Sequence, residues 1–267
     1  MNFIKFHAII MFLIYCVGYI STLYAQTKSQ FLYELYNPQR SPDLLYFDVS
    51  MINLASDFED LSKLTINIKI VNDELQFIKA KNGGFQADYE VAVAIFDKNK
   101  TLADSMSWQE RVFAKNFDET NAQNLFAFTG NSFDLEPGEY YFHVWVRDLE
   151  TNRRGMREGK VTLRDFSSKN MIVSDLLFLN NRAKNQKTNI PQQGRLLAYF
   201  EVYNIPEGDS IQVLYQLLGL GGKILEESQY WKKSKGKIIK NYIQIFDKAF
   251  TNGFTGIRVK VQYKDQS

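Results

Sequence analysis

Cysteine and histidine are nearly missing from this 267-residue chain, which has one Cys and two His. That scarcity withholds the usual ligands and nucleophiles of metal and covalent chemistry. With so few of these ligands, a zinc site would have to be finished by carboxylates. Proline (five) and glycine (15) are too few for a collagen-like or low-complexity chain. Neither sign of charge dominates: 32 Lys and Arg stand against 30 Asp and Glu, a net of +2. A dedicated nucleic-acid binder needs a concentrated basic field, so that class is set aside. No long stretch repeats its apolar residues at 3.6 spacing, which removes extended amphipathic helices. Gly219-Leu220-Gly221-Gly222 lacks the Lys-Ser/Thr ending of a phosphate loop. Aromatics, by contrast, are plentiful at 15%, with 21 Phe and 15 Tyr. That bias favours strands.

The one long apolar run is at the start. Lys5 precedes an almost wholly apolar stretch from Ala8 to Ile20, and Ser21-Thr22-Leu23-Tyr24-Ala25 ends small before Gln26. This order reads as a secretory signal peptide over residues 1–25, cleaved after Ala25. The alternative is an uncleaved anchor, since Phe6 to Ala25 is about long enough to cross a bilayer. Lipid attachment at Cys16 fits poorly, because Tyr15 precedes it and Val17 to Ile20 continue the apolar run. Cleavage would remove Cys16 and Lys5, leaving no cysteine and a net of +1. An exported chain without disulfides must rest on its apolar cores, and about 240 residues can build two of them. The expected location is the periplasm or outer surface of a bacterium.

Residues 26–43 contain Asn37-Pro38 and Ser41-Pro42 and read as an extended lead-in. Strand patterns follow. Ile66, Ile68 and Ile70 alternate with Asn67 and Lys69, one face for a core and one for water. Leu75 to Ile78 reads as a short strand before the turn Asn82-Gly83-Gly84. Phe85 to Asp97 is apolar on both parities in its second half (Val91 to Phe96), the signature of a central strand covered on both sides. Glu136-Pro137-Gly138 turns into a strand led by Tyr140, with Phe142, Val144 and Val146 on the same face. A tyrosine so placed can return its hydroxyl to the backbone, as in immunoglobulin-like sandwiches. Strands at this spacing predict a first β-sandwich over 44–164, a linker over 165–173 and a second, smaller sandwich over 174–267. In the second, Leu196 to Tyr203 alternate, Pro206 to Asp209 turn, and Asn180 to Gln193 form a polar loop. The fold class is therefore all-β, two immunoglobulin-like sandwiches in tandem after a signal peptide.

Several stretches together resemble the N-terminal region of the GWxTD-domain proteins of bacterial envelopes. They include Asn72 to Lys79, Gly84 to Val91, Phe133 to Tyr140, Val146 to Glu150, Ser174 to Leu177 and Tyr199 to Asn204. The likeness lies in their order and spacing, from about Phe47 to about Leu218. The motif that names the family, Gly-Trp-x-Thr-Asp in a C-terminal domain, has no match: the last Trp is Trp231, in Tyr230-Trp231-Lys232-Lys233. The resemblance implies the β-sandwich part of such a protein without its namesake domain, and brings no catalytic residues with it.

Candidate site residues are few. His143 is the only base available to a Ser-His-Asp triad in a cleaved chain, and its strand position between Tyr141 and Trp145 reads more simply as packing. Tyr141 and Trp145, with Tyr89 as a third ring, form a candidate stacking platform. Asp73 and Glu74 are the carboxylate pair singled out, because the resemblance includes them; Asp57 to Asp60 and Asp118-Glu119 read as turn and cap residues. Lys232 to Lys237 is the one basic cluster and reads as a solvated hairpin tip. Together these lead to an expected exported, non-enzymatic envelope protein that binds or scaffolds through its sandwich surfaces. The alternative is a carbohydrate-binding module using the aromatic platform. The expected partner is another envelope protein or a glycan, with no cofactor, no metal, no nucleic acid, and membrane contact only through an uncleaved signal segment.

Overall fold

A computed structural model describes residues 44–180 and 196–263. The expected signal peptide, the expected lead-in and the expected polar loop beyond Asn180 lie outside the described residues. The described chain is mostly strand, and every strand pairing in it is antiparallel. Among these residues no helix is long and apolar enough to cross a membrane.

The first core lies between two sheets. One has the order β1 (Asp48–Ala55), β2 (Ser62–Val71), β6 (Phe126–Leu135). The other runs β3 (Ile78–Lys79), β4 (Phe85–Asp97), β7 (Gly138–Asp148), β8 (Arg154–Leu163), with β5 (Leu102–Ala114) on the far side of β4. The alternation read in β2 is realised: Leu64, Ile66, Ile68 and Ile70 are all fully buried. They meet Val91, Val93 and Ile95 of β4 and Val144 and Val146 of β7 in one cluster. Each such side chain contributes about 1.5–3 kcal/mol by leaving water. Trp108 of β5 ties the sheets at their edge: its Nε1 donates to Thr129 Oγ1 at 2.9 Å, and that hydroxyl donates to Glu110 at 3.0 Å.

The second core repeats the arrangement. One sheet is β10 (Leu177–Asn180), β11 (Leu196–Tyr203), β14 (Ile238–Ile245), with β9 (Ile172–Val173) also on β11. The other is β13 (Ile224–Lys233), β12 (Ser210–Gly219), β15 (Phe254–Gln262). Ala198, Phe200, Val202, Ile211, Val213 and Ile243 fill the space between them.

Two backbone devices expected from sequence are present. The Tyr140 hydroxyl donates to the Glu136 carbonyl at 2.9 Å, closing the corner before β7. Gly83 and Gly84 take φ of 91° and 73°, the left-handed region that the turn into β4 requires. Other expectations are corrected. Leu75 to Phe77 is not a strand: a 3-10 turn at Asn72–Glu74 leads to only two paired residues, Ile78 and Lys79. Leu75 and Phe77 are instead buried anchors beneath that segment. Tyr89 is 2% exposed and points into the core, so it is no part of an outer platform. The strands β1, β6 and β13 are not marked by the sequence patterns; β1 and β6 form both edges of one sheet and β13 an edge of another.

Between the cores, the joint is bonded rather than loose. Asn53 Nδ2 donates to the Lys63 carbonyl at 3.3 Å, while its Oδ1 accepts from Arg164 N at 2.9 Å. Asp175 accepts from Asn53 N at 2.8 Å and from the Arg164 guanidinium. The Tyr203 hydroxyl accepts from Ala55 N at 3.1 Å and donates to Glu201, and its ring packs on Phe166 with centroids 4.7 Å apart. The end of the expected linker is also paired, since Ile172 and Val173 oppose Tyr203 and Val202.

Asp148 is the most committed carboxylate in the fold. It is fully buried and accepts from Gln76 N (2.7 Å), Glu150 N (2.9 Å), Thr151 N (2.7 Å) and Thr151 Oγ1 (2.9 Å). Asp148→Ala strands those donors and is expected to cost about 3 kcal/mol or more. Tyr140→Phe, which removes a single neutral bond, is expected to cost about 1 kcal/mol. Urea titration of both variants checks the ranking; equal losses would overturn it.

Several tyrosines also couple stability to alkaline pH. Burial raises Tyr89, Tyr199 and Tyr203 well above the usual phenol range, with Glu110 or Glu201 adding to it, and burial pushes Tyr230 up to about 12. The folded state therefore holds phenolic protons that the unfolded chain releases near pH 10. Unfolded chains then bind fewer protons than folded ones, so unfolding free energy falls as pH rises. The contribution is complete below pH 10 and is lost as pH climbs through the folded values. Denaturation monitored across pH 8–12 is expected to show a plateau and then a fall; stability that holds flat to pH 12 would contradict the assignment.

Candidate binding face

The side of β5-β4-β7-β8 away from the core carries the most organised set of exposed groups. Its geometry follows from strand register. Val91, Val93 and Ile95 point into the core, so Ala92, Ala94 and Phe96 point the other way. Opposite them on β7 stand Trp145, His143 and Tyr141, and opposite on β5 stand Ser107, Ser105 and Leu102. The centre of the face is thus a floor of Ala and Ser beside a wall of rings. His143 joins the wall: its centroid lies 5.2 Å from Phe96 and 5.4 Å from Trp145. The alanines are 4% and 0% exposed yet lie outside the core cluster, because rings on the neighbouring strand rise above them.

Charges rim this strip in pairs. Arg111 clamps Asp88 with two bonds, 2.5 and 2.9 Å, across the β4–β5 register. Arg147 donates to Glu90 at 2.6 Å across β4–β7. His143 Nε2 lies 3.6 Å from Glu158, and Lys160 sits over the Tyr141 ring at 4.9 Å. Opposite signs cancel locally, so the face has little field of its own and would select a ligand by shape and apolar contact. Among the described residues the buried Trp145 indole N–H has no acceptor, which leaves about 1–3 kcal/mol unrealised.

Of the four residues singled out by sequence, the structure brings two together. Tyr141 and Trp145 share the face, both half-buried, on either side of His143. About His143 the rings are tilted: His143 meets Trp145 at 68° and Phe96 at 57°. Glu74 lies elsewhere and is already occupied. Its carboxylate accepts from Tyr46 N at 3.1 Å and pairs with Arg153 at 3.2 Å, tying the entering chain to the β7–β8 turn. Asp73 beside it is exposed. Seven residues of strand, about 20 Å, separate Tyr141 from that turn, so Asp73 and Glu74 do not share a site with Tyr141.

The other acidic groups serve the backbone. Glu119 accepts from Lys115 N at 2.7 Å while its own N–H donates to Asn116, a reciprocal cap on the helical turn Phe117–Thr120. Asp57 is held below its ordinary value by the bond from Lys63, 2.6 Å. Among the described residues no group of three or more His, Cys, Asp or Glu could hold a metal ion. What sequence reading missed is the floor: Ala92, Ala94, Ser105 and Ser107. A signal existed, since the apolar run Val91 to Phe96 has one parity large and the other mostly alanine.

No protein-family model matches this chain, and no characterised protein matches its sequence significantly. Several solved structures resemble it at low TM-score. A β-glucuronidase from Bacteroides uniformis is 14% identical over 44% of this chain and 13% of its own, with a TM-score of 0.29. A transglutaminase from red sea bream is 11% identical over 87% of this chain and 31% of its own, at 0.28. Dimeric latent PorU from Porphyromonas gingivalis is 12% identical over 74% and 16%, also at 0.28. The chain thus spans less than a third of the length of each of these proteins.

Proposed function

We propose that this chain is an exported, non-enzymatic protein of a bacterial envelope, which binds or scaffolds another protein through the outer face of β5-β4-β7-β8. In this reading residues 44–164 and 174–267 are two immunoglobulin-like domains, and the resemblance to the GWxTD-domain proteins supplies the envelope context. The observation that carries the reading is the alanine and serine floor beside the ring wall of Phe96, His143 and Trp145. A flat, field-neutral strip with an aromatic centre and a paired polar rim matches the anatomy of protein interfaces, where rings anchor and charges sit at the edge. The wall draws rings from two strands, β4 and β7, a breadth that favours a protein partner over a single sugar ring. The carbohydrate-binding alternative rests on Tyr141 and Trp145 alone.

The test places a photo-crosslinking amino acid at Met156, which is exposed and opposite Trp145, in the cells that make the protein. One defined envelope-protein adduct is expected. Ser107→Arg fills the floor with a bulky cation from an exposed position and is expected to reduce that adduct at least tenfold with melting temperature unchanged. No adduct at Met156, together with measurable affinity for a purified glycan that Trp145→Ala abolishes, would replace this reading with the alternative.

A further inference from the structure

The second sandwich carries a surface of different chemistry. Between Glu227 and Asp247 the sequence holds five lysines and no acidic residue. The structure concentrates them where β13 passes into β14. Ser234 anchors that turn: it is 2% exposed, its hydroxyl bonds the carbonyls of Ile205 (3.2 Å) and Gly236 (2.8 Å), and its N–H donates to the Asp209 carbonyl at 2.7 Å. With Ser234 held inward, Lys233, Lys235 and Lys237 are thrown outward and are exposed. Two residues before Lys233, Trp231 is 69% exposed, the most open of the three tryptophans. Register continues the patch across the sheet: Trp231 opposes Gln212, which opposes Gln262, and the next outward row adds Lys260 and then Arg258.

Among the described residues no carboxylate pairs with Lys233, Lys235, Lys237 or Lys260. The acids nearby are few. Glu227 is engaged by Gln216, Asp209 accepts from the Tyr263 hydroxyl at 2.5 Å, and Glu207 lies in the turn that bonds Ser234. Lys232 is held below its ordinary value by burial and by Lys235, a local sign that positive charge is crowded here.

We infer that the β13–β14 turn, with Trp231 and the outer face of β13-β12-β15, docks on an anionic phospholipid surface. Charge complementarity selects the sign of the partner, and lysines within reach of an anionic bilayer each strengthen binding roughly fivefold. The exposed indole selects a bilayer, because tryptophan settles at the headgroup boundary where one side is apolar and the other wet. A sheet face is open and shallow, suited to a planar surface more than to threading a polymer. This contact differs from the expectation that only an uncleaved signal segment touches the membrane, and it is separate from the aromatic face of the first sandwich.

Vesicle sedimentation with the whole protein tests it, comparing phosphatidylcholine vesicles with and without phosphatidylglycerol. Any contribution of the N-terminal apolar run is common to both, so the ratio of affinities is the quantity read. A ratio above tenfold that collapses as salt is raised is expected. The charge reversal K233E/K235E/K237E is expected to lower anionic-vesicle affinity roughly a hundredfold, with an unchanged near-ultraviolet circular dichroism spectrum. Anionic vesicles are also expected to shift the tryptophan emission to the blue, and Trp231→Phe to abolish that shift. A ratio near one, a charge-reversed protein that binds as the original does, or emission blind to vesicles would each overturn the inference. So would retention on a soluble polyanion without any vesicle binding, which would give the patch to a polymer.

Discussion

The double-sided burial of β4 is the constraint on which the first sandwich depends. Thirteen residues long, β4 is paired along most of its length with β5 on one side and β7 on the other. Its inward parity, Val91, Val93 and Ile95, supplies bulk to the core. The outward parity must then be apolar enough to remain between two neighbours yet small enough to leave them room. Ala92 and Ala94 meet both demands, and their size is what makes the rings on β7 stand proud as a wall. Core and candidate face are therefore two consequences of one strand. A larger residue at Ala94 would press on His143 and disturb the ring wall before it touched the core.

A second constraint governs how the two cores act together. The Asn53, Arg164 and Asp175 network uses one side chain from β1, one residue just past β8 and one just before β10. Asn53 is buried with both ends of its amide engaged, and Ser62 donates to the Arg164 carbonyl. Removing the buried Asn53 amide is the costly break, because its backbone partners lose their bonds, whereas the half-exposed Arg164 and Asp175 side chains can return to water. Added to the Tyr203 contacts with Ala55 and Phe166, they hold the second core against the first. This suits a protein that presents surfaces, since the spacing between those surfaces is then fixed by bonds and not by a slack connection.

Much of this was legible in the sequence, and the failures have physical reasons. Period-two alternation in Ile66 to Ile70 and in Leu196 to Tyr203 gave strand and face together, because burial on one side leaves a clean pattern. The Pro137-Gly138 turn and Tyr140 gave a corner that the hydroxyl bond to Glu136 realises. Strands β1 and β13 escaped because edge strands mix burial with exposure: β13 alternates exposed Glu227, Gln229 and Trp231 with only half-buried partners. Tyr89 was misread since parity alone cannot say which side of a central strand is core when both sides are apolar. Glu74 looked like chemistry in one dimension, whereas its partners, Tyr46 N and Arg153, are distant in sequence and give it a structural task. The alanine floor escaped for the opposite reason: small residues carry no chemistry of their own and matter only through the rings beside them.

The two surfaces differ in a way that bears on their division of labour. On the first sandwich, acids and bases are matched across register partners, Asp88 with Arg111 and Glu90 with Arg147, so long-range attraction is cancelled and only close fit remains. On the second, lysines are left unmatched and a tryptophan is left open, so attraction acts at a distance of about a Debye length before any fit is needed. Neutral fit favours selection among similar protein surfaces, and unmatched charge favours capture by an extended anionic one. Because the Asn53, Arg164 and Asp175 joint fixes one sandwich to the other, capture by the basic turn would also orient the aromatic face. That coupling requires no moving part: it follows from matched charges on one sheet, unmatched charges on another and a bonded joint between them.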